Sequence, residues 1–553
     1  MIKHPFPLLQ SPFIRRILPA VSLLCTEQTD NLISKTFNAS VMKPSILLIL
    51  LLICFGHSNV YAGSFFQKEK IACIPCSELQ NLRLPDVTIL KATSIVPEKK
   101  DGKMPAPAKP HCQVLGRIGK ELNFEVLLPD NWNERFIMGG NGGFAGELIY
   151  SYREVLDSGY AIAGSDVGHK GGLTAKWALD NMQRQLDFGH LGIHRTQAVA
   201  KAIIDKYYCS YPLYSYFLGV SRGGGQGMME AQRYPEDFDG IVSGFPAFNW
   251  VPFSGKFVQN AQKIYPDPNH KVPVITRENL QLLQKLIMGK CDMLDGVRDS
   301  ILTDPRECHF NLAELPICPN DQPGAACFTK EQALAIKTVY SPLANKEGTI
   351  HPGFPFGGED ERNGWDNWIV GAAASPLSEH SLQAFFGIES LKYLVFNDST
   401  WDYSKYNFSD FYKDTHYASA YLDATSTDYS AFNNRKGKLI LFQGWADPVI
   451  SALGIVGHYE TVEKKDPQLR DYMQLFMLPG VLHGGGKGPD QANWIGAIRD
   501  WVEKGIAPQR ITLSRLPQNG PAPFSRPTFP YPHKAVYDGK GDPNKESSFT
   551  ESK

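Results

Sequence analysis

A serine hydroxyl is a weak nucleophile at neutral pH. It becomes effective beside an imidazole whose tautomer is fixed by a carboxylate. The chain offers all three groups in contexts that suit them. Gly219-Val220-Ser221-Arg222-Gly223 is a G-x-S-x-G pentapeptide, whose glycines permit the sharp turn that lifts a serine side chain out of a sheet. The backbone N–H that follows, that of Arg222, then faces the point where negative charge develops on a substrate oxygen. Asp447 lies in Gly444-Trp445-Ala446-Asp447-Pro448, and His483 in Pro479-Gly480-Val481-Leu482-His483-Gly484-Gly485. Serine, then acid, then histidine is the order that a nucleophile elbow on an α/β sheet requires. A second oxyanion donor is expected from Gly139-Gly140-Asn141-Gly142-Gly143, because glycine lets backbone N–H groups approach a ligand closely. Gly142 is favoured there, with Gly143 as the alternative. Each match taken singly has a bland counterpart: a loop serine, a turn aspartate, a structural histidine, a hairpin glycine. Their conjunction in order carries the reading.

These residues need elements to hold them. Asn123–Leu128, Arg135–Met138 and Tyr160–Ala163 read as strands, the first two separated by the turn residues Pro129-Asp130-Asn131. Thr196–Tyr207 has helical apolar spacing and leads into the compact strand Tyr214–Val220. A helix from Arg222 through Gln232 and a buried strand at Ile241-Val242 follow. Strands alternating with helices predict an α/β fold with a mostly parallel sheet. The alternation stops between about Asn249 and Arg435, where aromatics, prolines and cysteines stand in short irregular segments. It resumes with Lys438–Phe442 and Gln474–Leu478, which place Asp447 and His483 just past strand ends. The interruption reads as a lid over the carboxyl edge of the sheet, the edge where open α/β sheets bind ligands. The expected organisation is a core in two parts, 63–248 and 436–516, a lid over 249–435, and a tail over 517–553. The tail's Pro, Gly, Ser and Lys content predicts disorder towards its end.

Within the lid, Cys291-Asp292-Met293-Leu294-Asp295-Gly296-Val297-Arg298-Asp299-Ser300-Ile301 is followed by Cys308. Three carboxylates on so short a loop repel one another unless a cation sits among them. Asp292, Asp295 and Asp299, with the carbonyls of Val297 and Ile301, offer the oxygen donors that calcium takes. The spacing is not that of an EF-hand. The bland alternative is an acidic solvated turn.

The ends and the composition set the context. Met42-Lys43, the apolar run Ile46–Phe55 and Val60-Tyr61-Ala62-Gly63 describe a secretory signal over 42–62 with cleavage after Ala62. Residues 1–41 then read as an upstream extension, with Met42 as the true start. The apolar run falls short of the ~20 residues that cross a bilayer, so no stable membrane anchor is expected. Eight of the 10 cysteines follow the cleavage point: Cys73, Cys76, Cys112, Cys209, Cys291, Cys308, Cys318 and Cys327. In a secreted or periplasmic protein most of them would pair. Lys plus Arg number 56 against 57 Asp plus Glu, without the basic surplus of a nucleic-acid binder.

Several segments together resemble the tannase and feruloyl esterase family, which also includes mono(2-hydroxyethyl) terephthalate hydrolase. They are Leu128-Pro129-Asp130-Asn131-Trp132-Asn133, Gly140–Gly146, Ser165-Asp166-Val167-Gly168-His169, Gly223–Gly227, Arg233–Gly240, the Cys291–Cys308 loop and Gly444–Pro448. The resemblance spans about Cys76 to Trp501. It implies an α/β-hydrolase core, a large inserted lid holding a calcium ion, and hydrolysis of small aromatic carboxylic esters. The implied triad is Ser221, Asp447 and His483, and the implied calcium ligands are Asp292, Asp295, Val297, Asp299 and Ile301. It also implies the disulfides Cys76–Cys112, Cys291–Cys308 and Cys318–Cys327, leaving Cys73 and Cys209 unassigned. One departure stands out. The family has cysteines immediately before the serine and after the histidine, joined to each other; here those positions are Val220 and Gly484. Such a bond is typically worth about 2–4 kcal/mol, so other packing must hold His483 near Ser221. A ligand-binding protein and a serine peptidase are the rival readings on the same fold. The ordered triad argues against the first and the resemblance against the second. The aromatic candidates for a lid pocket are Phe385, Phe386, Tyr393, Phe396 and Trp401.

Overall fold

The computed structural model describes residues 70–98, 107–148, 153–267, 272–371, 380–515 and 524–552, and the proposed signal and upstream segments lie outside them. Strands whose side chains alternate between two apolar faces build the centre of the molecule. On one face lie Phe136, Met138, Phe217, Ile241, Leu439, Leu441 and Leu475. Their sequence neighbours Ile137, Tyr216, Leu218, Val242, Ile440, Phe442 and Phe476 pack on the other. A sheet buried on both sides needs such near-continuous apolar runs, and these strands supply them.

The strands are β1 (Val87–Ile95), β2 (His111–Ile118), β3 (Leu122–Pro129), β4 (Arg135–Gly139), β5 (Ala161–Ser165), β6 (Tyr214–Val220), β7 (Gly240–Gly244), a short separate hairpin of β8 (Leu343–Asn345) and β9 (Gly348–His351), β10 (Lys438–Gly444) and β11 (Met473–Leu478). The central sheet runs β1-β2-β3-β5-β4-β6-β7-β10-β11. β1, β2 and β3 pair antiparallel, and β3 meets β5 the same way. From β5 to β11 every pairing is parallel. Helix α1 (Gly192–Tyr208) and helix α2 (Arg222–Arg233) cover the first face, and Trp494, Ile498 and Trp501 of a later helix, Trp494–Lys504, cover the second.

Register brings the strand ends together. Val220 of β6 pairs with Gly244 of β7, Phe442 of β10 pairs with the same Gly244, and Gly444 pairs with Leu478 of β11. Ser221, Asp447 and His483 follow those ends by one, three and five positions, so one edge of the sheet carries all three.

The segment between β7 and β10 is more regular than its sequence suggests. It holds α3 (Trp250–Ile264), α4 (Arg277–Cys291), α5 (Lys330–Tyr340), a wide-turn helical stretch Arg362–Val370, α6 (Leu382–Glu389) and α7 (Phe411–Leu422). Pro252 reads as a breaker but occupies the first turn of α3, where a missing N–H costs nothing. Thr276 with Asn279, and Thr329 with Gln332, close capping boxes that start α4 and α5. At Gly387 of α6 a Cβ would come 2.7 Å from Phe257 Cβ and 3.0 Å from Ser254 O, so glycine is what lets α6 lie on α3.

The C-terminal segment departs from expectation. β12 (Ile511–Arg515) pairs with β13 (Phe524–Thr528), and β14 (Ala535–Tyr537) with β15 (Phe549–Glu551). Tyr531 N–H donates to Leu475 O of β11 at 2.7 Å, and Phe524, Phe529, Tyr531 and Phe549 are buried. A polar, proline-rich composition concealed four aromatic anchors, which are buried within residues 524–552. Among the described residues no helix is long and apolar enough to cross a membrane.

Four disulfides join the described residues. Cys76–Cys112, Cys291–Cys308 and Cys318–Cys327 are the pairs that the resemblance implies, and Cys73 pairs with Cys209.

Candidate active site

Ser221 stands between the last residue of β6 and the first of α2 with φ 60° and ψ −122°. That conformation is strained for a side chain other than glycine, and it persists only where the surroundings over-determine it. Here Ser221 N–H donates to Gly244 O at 2.9 Å, while Ser221 O accepts from Gly225 and Ala247. The flanking glycines are steric necessities: a Cβ on Gly219 would lie 2.4 Å from the Gly223 backbone, and one on Gly140 2.6 Å from Gly223 Cα.

His483 and Asp447 complete a hydrogen-bonded chain. Ser221 Oγ is 2.8 Å from His483 Nε2, and His483 Nδ1 is 2.9 Å from Asp447 Oδ2. Asp447 is buried, and four groups fix its carboxylate. Oδ1 accepts from the N–H groups of Val449 and Ile450, and Oδ2 from Gln443 Nε2 as well as from the imidazole. Phe245 and Trp368 flank the imidazole edge-to-face at 5.6 and 5.8 Å. An imidazole so held can take a proton from the serine hydroxyl and keep its own tautomer.

The histidine loop has its own supports where the family's cysteine pair is missing. Gly485 N–H donates to Asp490 Oδ2 at 2.8 Å, and Arg515 Nη1 donates to the carbonyls of Gly486 and Lys487 at 3.0 and 2.7 Å. Ala446 N–H, beside Asp447, donates to Val481 O at 3.1 Å, which ties the acid loop to the histidine loop. Gly480 must be glycine: its φ is +65°, and a Cβ would lie 2.8 Å from Ile301 Cγ1.

The glycine loop after β4 lies beside the serine. Gly223 N–H is committed to Asn141 O at 2.7 Å, whereas Arg222 begins α2, where first-turn N–H groups lack helical acceptors. Gly142 is exposed; Gly143 lines the cavity that contains Ser221. Gln226 of α2, which sequence reasoning did not single out, braces this loop. Its side chain accepts from Asn141 N–H at 3.0 Å and donates to Asn141 Oδ1 at 3.2 Å. Arg222 is fully buried by its side chain. Its guanidinium donates to the carbonyls of Phe188 and Gly189 at 2.7 and 2.8 Å and packs against the Phe188 and Trp250 rings. Burial lowers its pKa to about 10.

A cavity of about 330 Å³ opens at Ser221 and His483. It is lined by Phe245, Trp250, Phe253, Phe257, Trp368 and Phe386, and by Val220 and Gly484 next to Ser221 and His483 in the chain. Of the five aromatics expected in a pocket, Phe386 alone reaches it. Tyr393 is core, Phe385 packs on Phe144, and Phe396 stacks on Trp401 elsewhere. The missed wall has a sequence signal: Trp250, Phe253 and Phe257 recur at helical spacing on α3.

The acidic loop between Cys291 and Cys308 turns its carboxylates onto nearby hydrogen-bond donors. Asp292 Oδ1 accepts from Ser300 N–H at 2.6 Å, Asp295 accepts from Val297 N–H and Thr303 Oγ1, and Asp299 accepts from Ile301 N–H and Arg526. Burial raises the Asp295 pKa, and the charge of Asp299 adds to the rise. The candidate ligand atoms, three carboxylates and two carbonyls, are all oxygens, which fits calcium by chemistry. Among the described residues, the trio whose ligating atoms gather within 4.8 Å is instead His194, Glu230 and Asp237.

A mixed sheet with a strained serine elbow, acid and histidine at neighbouring strand ends, and a helical insertion above them define an α/β-hydrolase. The solved structure of feruloyl esterase B from Aspergillus oryzae shares this fold, with a TM-score of 0.76 at 23% identity over 86% of this chain and 99% of that one. The family model for tannase and feruloyl esterase matches residues 108–552, and the chain belongs to that family. An uncharacterized esterase of Xanthomonas campestris pv. campestris is 31% identical, covering 86% of this chain and 91% of its own. Mono(2-hydroxyethyl) terephthalate hydrolase of Piscinibacter sakaiensis is 30% identical, covering 79% and 84%. The protein is accordingly a carboxylic ester hydrolase.

Proposed function

We propose that this hydrolase is an exported serine esterase that cleaves small aromatic carboxylic esters by acyl transfer to Ser221. The carrying observation is the unbroken chain from Ser221 Oγ through His483 to the buried Asp447 carboxylate. Asp447 accepts from His483 Nδ1–H, which leaves the Nε2 lone pair facing the serine hydroxyl. His483 takes that proton as Oγ attacks the ester carbonyl, then delivers it to the departing alcohol. The backbone N–H groups of Arg222 and Gly142, with Gly143 as the alternative to Gly142, hold the oxyanion. Water activated by the same imidazole then releases the acid. The disulfides support an oxidising compartment, secreted or periplasmic.

Asp292, Asp295 and Asp299, with the Val297 and Ile301 carbonyls, would hold a structural calcium ion in the lid. Such an ion would neutralise three neighbouring carboxylates and stiffen their loop.

The test is hydrolysis of aryl, gallate, hydroxycinnamate and hydroxyethyl terephthalate esters by the chain from Gly63 and by its Ser221→Ala variant. Removal of the nucleophile is expected to lower kcat by about 10⁴-fold or more with folding unchanged. Equal turnover by both proteins would remove Ser221 from the mechanism. Inactivity of both on every one of these esters and on methyl 4-methylbenzoate, whose ring is uncharged and free of hydroxyls, would remove the esterase assignment of this site.

A further inference from the structure

The cavity beside Ser221 is unusual in what it lacks. Among the described residues, its wall carries no Asp, Glu, Lys, Arg, Asn, Gln, Thr or Tyr, and its only polar side chains besides the two tryptophans are Ser221 and His483. The indole N–H of Trp250 is already donated to Ser390 Oγ at 3.1 Å. That leaves the indole of Trp368, a donor that cannot accept. Arg222, the nearest cation to Ser221 along the chain, spends its guanidinium on the carbonyls of Phe188 and Gly189. Among the described wall residues no Lys or Arg is present to balance an ionised substituent, and outside Ser221 and His483 no side chain can accept a hydrogen bond from a ring hydroxyl.

The size suits one ring. A cavity of about 150 Å³ accepts benzene, so about 330 Å³ takes a benzene ring with a short arm or a small substituent. The walls are flat and aromatic: Trp368 stacks on Phe386 at 6.0 Å, and Phe253 meets Trp250 and Phe257 edge-on or tilted at 5.1 and 5.2 Å.

We propose that this pocket selects acyl groups that are aromatic, uncharged and free of ring hydroxyls, and that it rejects both ionised and polyhydroxylated rings. The inference rests on the assignment of Ser221 as nucleophile, and it narrows the substrate class of that same site. A buried hydroxyl without a partner costs about tenfold in selectivity, and an unpaired carboxylate costs more. Val220 and Gly484, next to Ser221 and His483 in the chain, also line the cavity and add no polar side chain to it.

Methyl esters provide the test, because so small an alcohol leaves the acyl ring as the only group able to fill the cavity. Two matched pairs isolate polarity from size: dimethyl against monomethyl terephthalate, and methyl 4-methylbenzoate against methyl 4-hydroxybenzoate. Each kcat/KM is divided by the ester's rate of hydrolysis by hydroxide, which removes differences in intrinsic reactivity. The expected preference is about 100-fold or more within the first pair and about tenfold within the second. Phe386→Arg, which puts a cation on a half-buried wall position, is expected to narrow the first gap. Values within threefold of each other in both pairs would overturn the selection. Binding of the same esters to Ser221→Ala by calorimetry is expected to follow the same order and needs no turnover. Absence of hydrolysis of every ester by the unsubstituted protein would count against the nucleophile, whereas equal binding within each pair would count against the pocket.

Discussion

Asp447 makes two kinds of contact, and they respond differently to substitution. Its Oδ1 accepts two backbone N–H groups, which fold the loop; its Oδ2 accepts from Gln443 and from His483 Nδ1, which fixes the imidazole. In Asp447→Asn the carbonyl oxygen can satisfy the two backbone donors, so the loop keeps its shape. The amide nitrogen then faces Gln443 Nε2 and His483 Nδ1, donor against donor. The imidazole escapes that clash by moving its proton to Nε2, where it opposes the Ser221 hydroxyl. The expected result is a fall in kcat of about 10⁴-fold with the melting temperature little changed. Steady-state kinetics beside thermal unfolding checks both halves. A variant that keeps wild-type kcat would take Asp447 out of the mechanism.

The nucleophile helix carries a second titratable group at its far end. Glu230 of α2 is buried against Asp237, whose Oδ2 lies 2.6 Å from His194 Nδ1 on α1. Burial first, then the charge of Asp237 and a hydrogen bond to it, push the Glu230 pKa well above its ordinary 4.5, while Lys201 opposes the rise. Glu230 therefore keeps its proton in the folded protein at pH values where the unfolded chain has released it. A folded state that binds more protons than the unfolded one loses stability as pH rises, here from about 4.5 up to the raised pKa. Glu230→Gln retains a donor towards Asp237 and removes the titration. Its stability should fall less steeply between pH 5 and 7, by up to about 1.4 kcal/mol per pH unit, as read from urea unfolding at several pH values. Parallel slopes for the two proteins would show that Glu230 is ionised in the folded protein across that window, as it is in the unfolded chain.

The same helix shows what sequence could reveal. Its start after Ser221, the strand before it and the loops of Asp447 and His483 were legible, because local period and turn chemistry specify them. The neighbours of that frame were not. Glu230, Asp237 and His194 meet only once α1 packs beside α2. The pocket wall depends on how α3 and α6 pack over the sheet, so the aromatics richest in sequence, Phe396 and Trp401, ended in a separate cluster. The order of the final strands was hidden for the same reason, since Phe524, Phe529, Tyr531 and Phe549 find partners only in the folded molecule.

At the scale of the whole molecule, the Cys291–Cys308 loop touches the segments that carry His483 and Asp447. Ile301 packs against Gly480 at the root of the histidine loop. Arg306 lies over Trp445, two residues before Asp447, and donates to Tyr531 at 2.7 Å. Arg526 of β13 pairs with Asp299. The disulfide closes 17 positions and is worth about 3 kcal/mol by loop entropy, but it does nothing to balance the three carboxylates inside it. An ion held there would fix the Ile301 surface on which the histidine loop rests. Ligand present at 100 times its dissociation constant stabilises by about 2.7 kcal/mol, a shift of several degrees in melting temperature. Chelation is therefore expected to lower the melting temperature and kcat together, with calcium restoring both, and Asp295→Asn should lose the response. The coupled fall in kcat separates this from a remote structural ion, which would move stability alone. Protein that carries no calcium by elemental analysis, and that melts and turns over identically with chelator, would instead leave Arg526 as the cation that balances this loop.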